Sequence, residues 1–230
     1  MFGDGFERAV HADLAYPAAA LACLDPRGRT VRCTPCRRTV RQVLSTGAVV
    51  YRKLRHGAAG DAAREWHWLQ ALRALGIPTA APLFLARMGR TSVLGTAGVP
   101  GTSLQALLER EPGRGLRIAC EQVAPLVRRL HAAGLVFRDL YANHLQVSGK
   151  AVVLLDVERV FRPRWRRRRW LVKDLAGLLA SVPASCRLGR EPLRFLARAC
   201  LPELRPQWRS LAAAVAAKAA RIRRHMPRYG

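Results

Sequence analysis

Asp139 lies in the run Phe137-Arg138-Asp139-Leu140-Tyr141, with Asn143 and His144 shortly after it and Asp156 closing the apolar run Val152-Val153-Leu154-Leu155. Phosphoryl transfer from ATP needs such a set: one carboxylate facing the attacking hydroxyl, and oxygen or nitrogen ligands holding magnesium on the phosphates. An isolated loop aspartate would be read as a backbone cap. The spacing to the later acid makes Asp139 the candidate catalytic residue instead. A carboxylate ending an aliphatic run is costly to bury unpaired. Magnesium at Asp156, or a salt bridge to Arg159 or Arg138, would compensate it. His144 stands five residues after the first acid, at a distance that lets it join the same site. Imidazole is a weaker magnesium ligand than oxygen, so His144 completes the metal set, donates to a phosphate, or holds Asp156. Asn143 is a second-choice ligand or a simple turn residue.

The elements that must position these groups follow from pattern. Leu116, Cys120, Val123, Val127 and Leu130 recur at three- and four-residue steps, predicting an amphipathic helix that ends before Gly134. Short strands are expected at Leu145–Val147 and Ala151–Val157, turning about Ser148-Gly149-Lys150. Helices are expected at Leu171–Ser181, Glu191–Cys200 and Gln207–Met226, the last with a basic C-terminal turn suited to the helix dipole. Upstream, Arg29–Cys33, Arg38–Leu44 and Ala48–Lys53 read as strands separated by turn residues. A helix N-capped by Asp61 should run to about Leu75. Two more strands lie near Pro82–Ala86 and Thr91–Leu94, and a Gly/Pro-rich linker covers Gly95 to Gly101. Residues 1–27 are weakly patterned. The resulting division is a lead-in at 1–27, a small β-rich unit at 28–98 and a mainly helical unit at 99–230.

Composition narrows the class. At 230 residues, 50% of them hydrophobic, the chain can bury a real core and is not disordered. Its longest apolar stretches are too short or too interrupted to span a bilayer, and the N-terminus lacks a convincing secretory signal, so a cytoplasmic address is expected. Lys and Arg number 40 against 15 Asp and Glu, a net charge of +25. Such a field concentrates polyanions, whether nucleic acid, anionic headgroups or phosphorylated sugars. All but four of those cations are Arg; the lysines are Lys53, Lys150, Lys173 and Lys218. Of six cysteines only Cys33 and Cys36 form a C-x-x-C. No second pair completes a zinc site, and a strand rather than a helix follows it, so no metal or redox role is expected.

Arg138-Asp139-x-Tyr141-x-x-His144-Leu145, then Leu155-Asp156-Val157-Glu158-Arg159, then a basic Trp-containing stretch and Lys173-Asp174-Leu175-Ala176-Gly177-Leu178, resembles the lipopolysaccharide core kinases, the family of heptose and Kdo kinases. Arg37-Arg38-Thr39, Val50-Tyr51-Arg52-Lys53 and Arg64-Glu65-Trp66 look similar too, so the resemblance covers roughly residues 28–182. It implies an α+β, bilobal protein-kinase-like fold with a small β-rich N-lobe and a mainly helical C-lobe. It implies ATP and Mg2+ as cofactors, and a histidine in place of the metal-binding Asn. Lys53 would reach the nucleotide phosphates while Glu65 fixes its ammonium. Thr96 and Ala97 in the linker would offer backbone groups to adenine, and Asp174 would brace the catalytic loop. The acceptor implied is a sugar hydroxyl of lipopolysaccharide core or another anionic glycolipid, at the cytoplasmic face of a bacterial inner membrane.

Three features depart from ordinary kinases. The turn at Cys33 to Cys36, expected to cover the phosphates, contains no glycine, so close backbone approach is harder; Arg37 or Arg38 would supply positive charge there. Phe137 replaces the His that usually precedes Arg-Asp. Val157-Glu158 follows the metal aspartate in place of Phe-Gly. Beside the presumed acceptor entrance, Arg164, Trp165, Arg166, Arg167, Arg168 and Arg169 suit an anionic, partly apolar interface such as glycolipid headgroups. Nucleic acid also satisfies that composition but is not expected, because it explains none of the acids. Two other readings stay open: a kinase of a protein or soluble metabolite, and a catalytically silent kinase-like scaffold binding anionic membrane or nucleic acid.

Overall fold

The structure, a computed structural model, describes residues 8–11, 28–44, 46–56, 62–88, 90–187 and 189–225. Chain contacts divide it into two compact units, Met1–Ala74 with Thr79–Val99, and Leu75–Pro78 with Pro100–Gly230.

The first unit is built on an antiparallel sheet. Its strands are β1 (Arg8–His11), β2 (Arg29–Thr34), β3 (Arg37–Val43), β4 (Val49–His56), β5 (Pro82–Met88) and β6 (Thr91–Ala97), ordered β1-β5-β6-β4-β3-β2 among the described residues. Val50, Leu83, Phe84 and Ala86 form its buried cluster, with Leu44, Val93 and Ala97 packed against them. Gly95 is required there, because a Cβ at that position would collide with the Phe84 ring. Helix α1 (Ala63–Ala74) buries Glu65, Trp66, Leu69 and Leu72 along one stripe. The Ala62 N–H just before it donates to Ser92 Oγ at 3.1 Å. The N-cap expected at Asp61 lies outside the described residues.

Sequence and structure part at three places in this unit. Arg8–His11, inside the presumed lead-in, pairs with β5 as an edge strand. Strand β4 continues through Lys53 to His56, because it is paired on both sides, with β3 and β6, as far as that residue or the one before it. Gly95, Thr96 and Ala97 belong to β6 rather than to a linker; Thr96 pairs with Tyr51 and with Pro82, which keeps the ladder going past the glycine.

The second unit is mainly helical. Ser103, in the short strand β7 (Thr102–Ser103), caps α2 (Leu104–Arg110) by accepting from the Ala106 N–H at 3.2 Å. The amphipathic segment predicted through Leu130 is α3 (Pro112–Ile118), a π-helical turn at Ala119–Val123 and α4 (Ala124–Ala132). Pro125 explains the interruption, since it lacks an N–H and its ring crowds the carbonyl one turn back. Two small ladders then shape the loops: β8 (Val136–Phe137) pairs with β11 (Val160–Phe161), and β9 (Leu145–Ser148) with β10 (Ala151–Leu154). Helix α5 (Arg167–Ser181) packs on α7 (Trp208–His225), and α6 (Glu191–Ala199) packs on α4.

Two expectations shift in this unit. The strand before Asp156 ends at Leu154, not Val157. Helix α5 begins at Arg167, four residues before the predicted Leu171. Tertiary contacts draw that extra turn into the helix: Arg167 donates to the His131 carbonyl at 2.8 Å, and Trp170 meets the Phe161 ring edge-on at 5.0 Å.

Candidate active site

The candidate residues fall into two groups, one in each unit. In the first, Lys53 and Arg55 sit two apart on β4 and so share a face. Glu65 stands on the inner stripe of α1, 1% exposed, and its Oε1 accepts from Lys53 Nζ while its Oε2 accepts from an Arg55 guanidinium nitrogen at 3.2 Å. A buried carboxylate needs such compensation, and here two cations provide it. Glu65 thus fixes the Lys53 ammonium and the Arg55 guanidinium side by side. The sequence pattern ends this strand at Lys53 and so does not point to Arg55; two more residues of alternation place Arg55 on the same face. Thr96 is buried within β6, and the Ala97 N–H donates to the Ala81 carbonyl at 2.9 Å.

In the second unit Asp139 follows β8 in a tightly bonded turn. The Leu140 N–H donates to the Phe137 carbonyl at 2.9 Å, the Tyr141 N–H to the Asp139 carbonyl at 2.8 Å, and the His144 N–H to the Tyr141 carbonyl at 3.0 Å. His144 Nδ1 donates to the same Asp139 carbonyl at 2.7 Å. Because a carbonyl only accepts, that bond fixes the proton on Nδ1 and leaves the Nε2 lone pair as the available ligand or acceptor. The buried Phe137 ring stacks on His144 at 6.2 Å, so the phenylalanine keeps a packing role. Asp139 Oδ1 accepts from an Arg159 guanidinium nitrogen at 2.8 Å. The sequence offers Arg159 as a partner for Asp156; the β8–β11 ladder also brings it to Asp139.

Helix α5 holds this turn with one face. Lys173, Asp174, Gly177 and Ser181 recur with helical spacing. Asp174 Oδ2 accepts the Phe137 N–H at 2.6 Å and meets His131 Nε2 at 3.2 Å. This is the bracing expected of Asp174. Burial pushes its carboxyl pKa above the ordinary range, while His131 and the Phe137 N–H pull the other way. Lys173 donates to the Arg138 carbonyl. Ser181 Oγ accepts the Ala142 N–H at 2.8 Å. Gly177 permits the close approach: a Cβ there would come within 3.1 Å of the Leu140 oxygen and 3.3 Å of the Tyr141 ring.

Asp156 adopts a left-handed backbone, φ 55 and ψ 48, immediately before a 3-10 turn at Val157–Arg159. A non-glycine residue held there is uncommon and clusters at functional positions. Its carboxylate and that of Glu158 bring oxygens within 4.8 Å of each other. Two hard oxygen donors so placed fit a divalent cation such as magnesium. Glu158 was noted in the sequence only as a departure from Phe-Gly.

The basic segment divides in two. Trp165 is 81% exposed, and Arg164, Arg166, Arg168 and Arg169 are exposed around it. Arg168 also reaches Ser210 Oγ at 3.0 Å. Arg167 and Trp170 instead turn back onto their own unit, Arg167 toward the His131 carbonyl and Trp170 against Phe161 and 5.8 Å from the Arg138 guanidinium. Cys33, near the end of β2, and Cys36, in the two-residue turn that joins β2 to β3, are exposed free thiols.

Comparison with known proteins converges on one group. The profile of the lipopolysaccharide kinase (Kdo/WaaP) family matches residues 46–197. The lipopolysaccharide core heptose(I) kinase WaaP of Escherichia coli is 29% identical over 182 residues, covering 70% of this chain and 69% of that one. A solved structure of WaaP in complex with acyl carrier protein superposes with a TM-score of 0.72 at 24% identity, over 94% of this chain and 99% of that one. An aminoglycoside-3'-phosphotransferase of type VIII gives 0.61 at 19% identity, over 86% and 97%. With a sheet-rich first unit, a helical second unit and a family match over most of its length, the chain belongs to the lipopolysaccharide kinase (Kdo/WaaP) family and is a kinase of protein-kinase-like fold.

Proposed function

We propose that the chain transfers the γ-phosphoryl group of ATP to a sugar hydroxyl of lipopolysaccharide core or a similar lipid-linked glycan. The observation that carries this reading is the grip of α5 on the Asp139 turn, which fixes a carboxylate by its backbone on both sides. Asp139 takes the proton of the acceptor hydroxyl as that oxygen bonds to the γ-phosphorus, and the bond to the ADP oxygen breaks. Lys53, oriented by Glu65, holds the nucleotide phosphates, and adenine lies at the end of β6, at Thr96 and Ala97 and the residues that follow. Asp156 with Glu158 would hold magnesium, and His144 offers Nε2. Magnesium, when bound, neutralises charge on the phosphate oxygens. Asp139 in turn is oriented by Arg159, which leaves one carboxylate oxygen for the acceptor.

Arg164, Arg166, Arg168 and Arg169 around the exposed Trp165 suit contact with anionic headgroups at the cytoplasmic face of a bacterial inner membrane, where cationic and aromatic side chains are both favoured. No helix among the described residues is long and apolar enough to cross a membrane, so the reading is peripheral attachment. Arg167 is exposed as well and offers charge to the same headgroups while one guanidinium nitrogen holds the His131 carbonyl.

The test is incubation of the purified chain with γ-labelled ATP and separate acceptors: lipopolysaccharide core, protein, and soluble sugars. Magnesium-dependent label in the core fraction is expected. Label confined to protein or soluble sugar, or no transfer to any core acceptor, overturns the acceptor assignment.

A second partner is supported by a separate feature. An apolar slit lined by Leu108, Leu116, Leu178, Phe195 and Leu196 adjoins a hollow of about 610 Å³ rimmed by Arg117, Arg194 and Arg198, with Glu121 and Glu191 among them and Glu191 salt-bridged to Arg194. That pairing suits an acyl group carried on an anionic protein, the kind of partner named for the solved WaaP complex. Binding of acylated but not unacylated carrier protein is expected; equal binding of both rejects the slit's part.

A further inference from the structure

We propose that Lys173 is a positioning residue for the catalytic acid: its ammonium holds the Arg138 carbonyl and thereby sets where the Asp139 carboxylate points. This deepens the reading above and rests on Asp139 being the proton acceptor. Lys173 is one of only four lysines in an arginine-dominated chain, and nothing in the family resemblance gave it a task. From α5 it donates to the carbonyl of Arg138, the residue directly before Asp139. It also stands 5.8 Å from the ring centroid of Tyr141, two residues after Asp139. One ammonium therefore touches the turn on both flanks of the acid. The next residue, Asp174, takes the Phe137 N–H at 2.6 Å. Adjacent opposite charges on one helix thus seize a carbonyl and an amide of the same short turn. A compact ammonium suits a single carbonyl better than a planar guanidinium does, which explains a lysine at this position.

The charged and titratable groups facing Lys173 are Asp174 on its own helix, Arg138, Asp139 and Tyr141 on the turn, and Arg159 from the following segment. Burial lowers the Lys173 pKa, Asp174 and Asp139 oppose that, and Arg159 and Arg138 add to it. Tyr141 is pushed the other way, mainly by its own burial and then by Asp139, and stays neutral. As pH rises through the lowered value, the ammonium loses its charge and the charge-assisted bond to Arg138 weakens. Turnover then declines on the alkaline side. The effect on folding has the opposite sign. In that window the unfolded chain binds more protons than the folded one, so the Lys173 contribution to stability grows with pH. Activity falling without a loosening fold is a signature that a purely structural lysine does not produce.

The test is the pH profile of kcat for phosphoryl transfer to lipopolysaccharide core, with melting temperature followed in parallel, for the full chain and for Lys173→Met, Lys173→Arg and Asp139→Ala. Lys173→Met should lower kcat roughly 10- to 100-fold, as a small misplacement of a reacting group does, leave KM for ATP within about twofold, and lose the alkaline limb. Lys173→Arg should keep part of the rate and move that limb upward, since guanidinium stays charged. A Lys173→Met enzyme with the parent kcat overturns the proposal. So does a Lys173→Arg profile whose alkaline limb stays where the parent's is, which decides the matter even if the Met variant does not fold. If Asp139→Ala retains turnover, the base assignment itself has failed. If only the Lys173 variants behave like the parent, that assignment stands and this inference falls.

Discussion

On the proposed roles the β2–β3 hairpin would cover phosphate and the Phe137–Leu145 segment would take the proton, and the two are built in opposite ways. Every residue of β2 is exposed, and the hairpin turn at Pro35-Cys36 is closed by the Thr34–Arg37 ladder pair, by Thr34 Oγ donating to the Arg37 carbonyl at 3.3 Å and by the His56 N–H donating to the Cys36 carbonyl at 3.1 Å. The Asp139 turn instead receives side chains from α5 on three of its backbone groups, and a buried Phe137 beneath it. Without glycine, the hairpin backbone cannot approach phosphate easily. On the proposed reading the first unit relies instead on long cationic side chains, Lys53 with Arg55 around Glu65, which tolerate small shifts. A general base tolerates none. The difference teaches where rigidity is needed: at the proton, more than at the charge.

That contrast can be broken by substitution, starting with the largest expected effect. Asp156→Ala should lower kcat about 10²- to 10⁴-fold, because a bound metal contributes several kcal/mol of charge stabilisation; titration of magnesium against rate checks it, and an unchanged metal requirement refutes the ligand role. Lys53→Met should lower kcat/KM for ATP by roughly 10- to 100-fold, the worth of one charge-assisted hydrogen bond. Arg55→Gln should share that defect in part, because Glu65 would then face Lys53 alone; ATP titrations of both variants compare them. Asp174→Ala should destabilise the chain by about 2–3 kcal/mol, as the Phe137 N–H and His131 lose a buried acceptor; chemical denaturation reads it directly. The smallest effect is expected for Gly177→Ala, about 1 kcal/mol from crowding of the Leu140 carbonyl, with kcat falling more than KM. A Gly177→Ala enzyme hit as hard in KM for ATP as in kcat would blur the distinction between the two regions.

Much of this was legible in the sequence because the informative residues are local. The acids at 139 and 156, the helix that carries Asp174, and the strand that carries Lys53 follow from spacing and periodicity. What escaped depended on contacts that sequence distance hides. Arg159 reaches Asp139 only because β8 pairs with β11. Arg55 joins Glu65 only because β4 runs on under pairing from both neighbours. The left-handed turn at Asp156 carries no local sign, since the residue is not glycine and the aliphatic run before it reads as unbroken strand. Lys173 was visible as a rare lysine, but its task depends on the Arg138 carbonyl, 35 residues away in sequence, being brought to the face of α5.

The most direct measurement is single-turnover transfer from prebound γ-labelled Mg-ATP to lipopolysaccharide core by Asp139→Asn, with nucleotide affinity measured on the same sample. Transfer at least about 10²-fold slower than the parent, with ATP affinity within twofold, is the expected result. Transfer at the parent rate, or a loss explained wholly by weaker nucleotide binding, would contradict the role of Asp139 as the residue that takes the acceptor's proton.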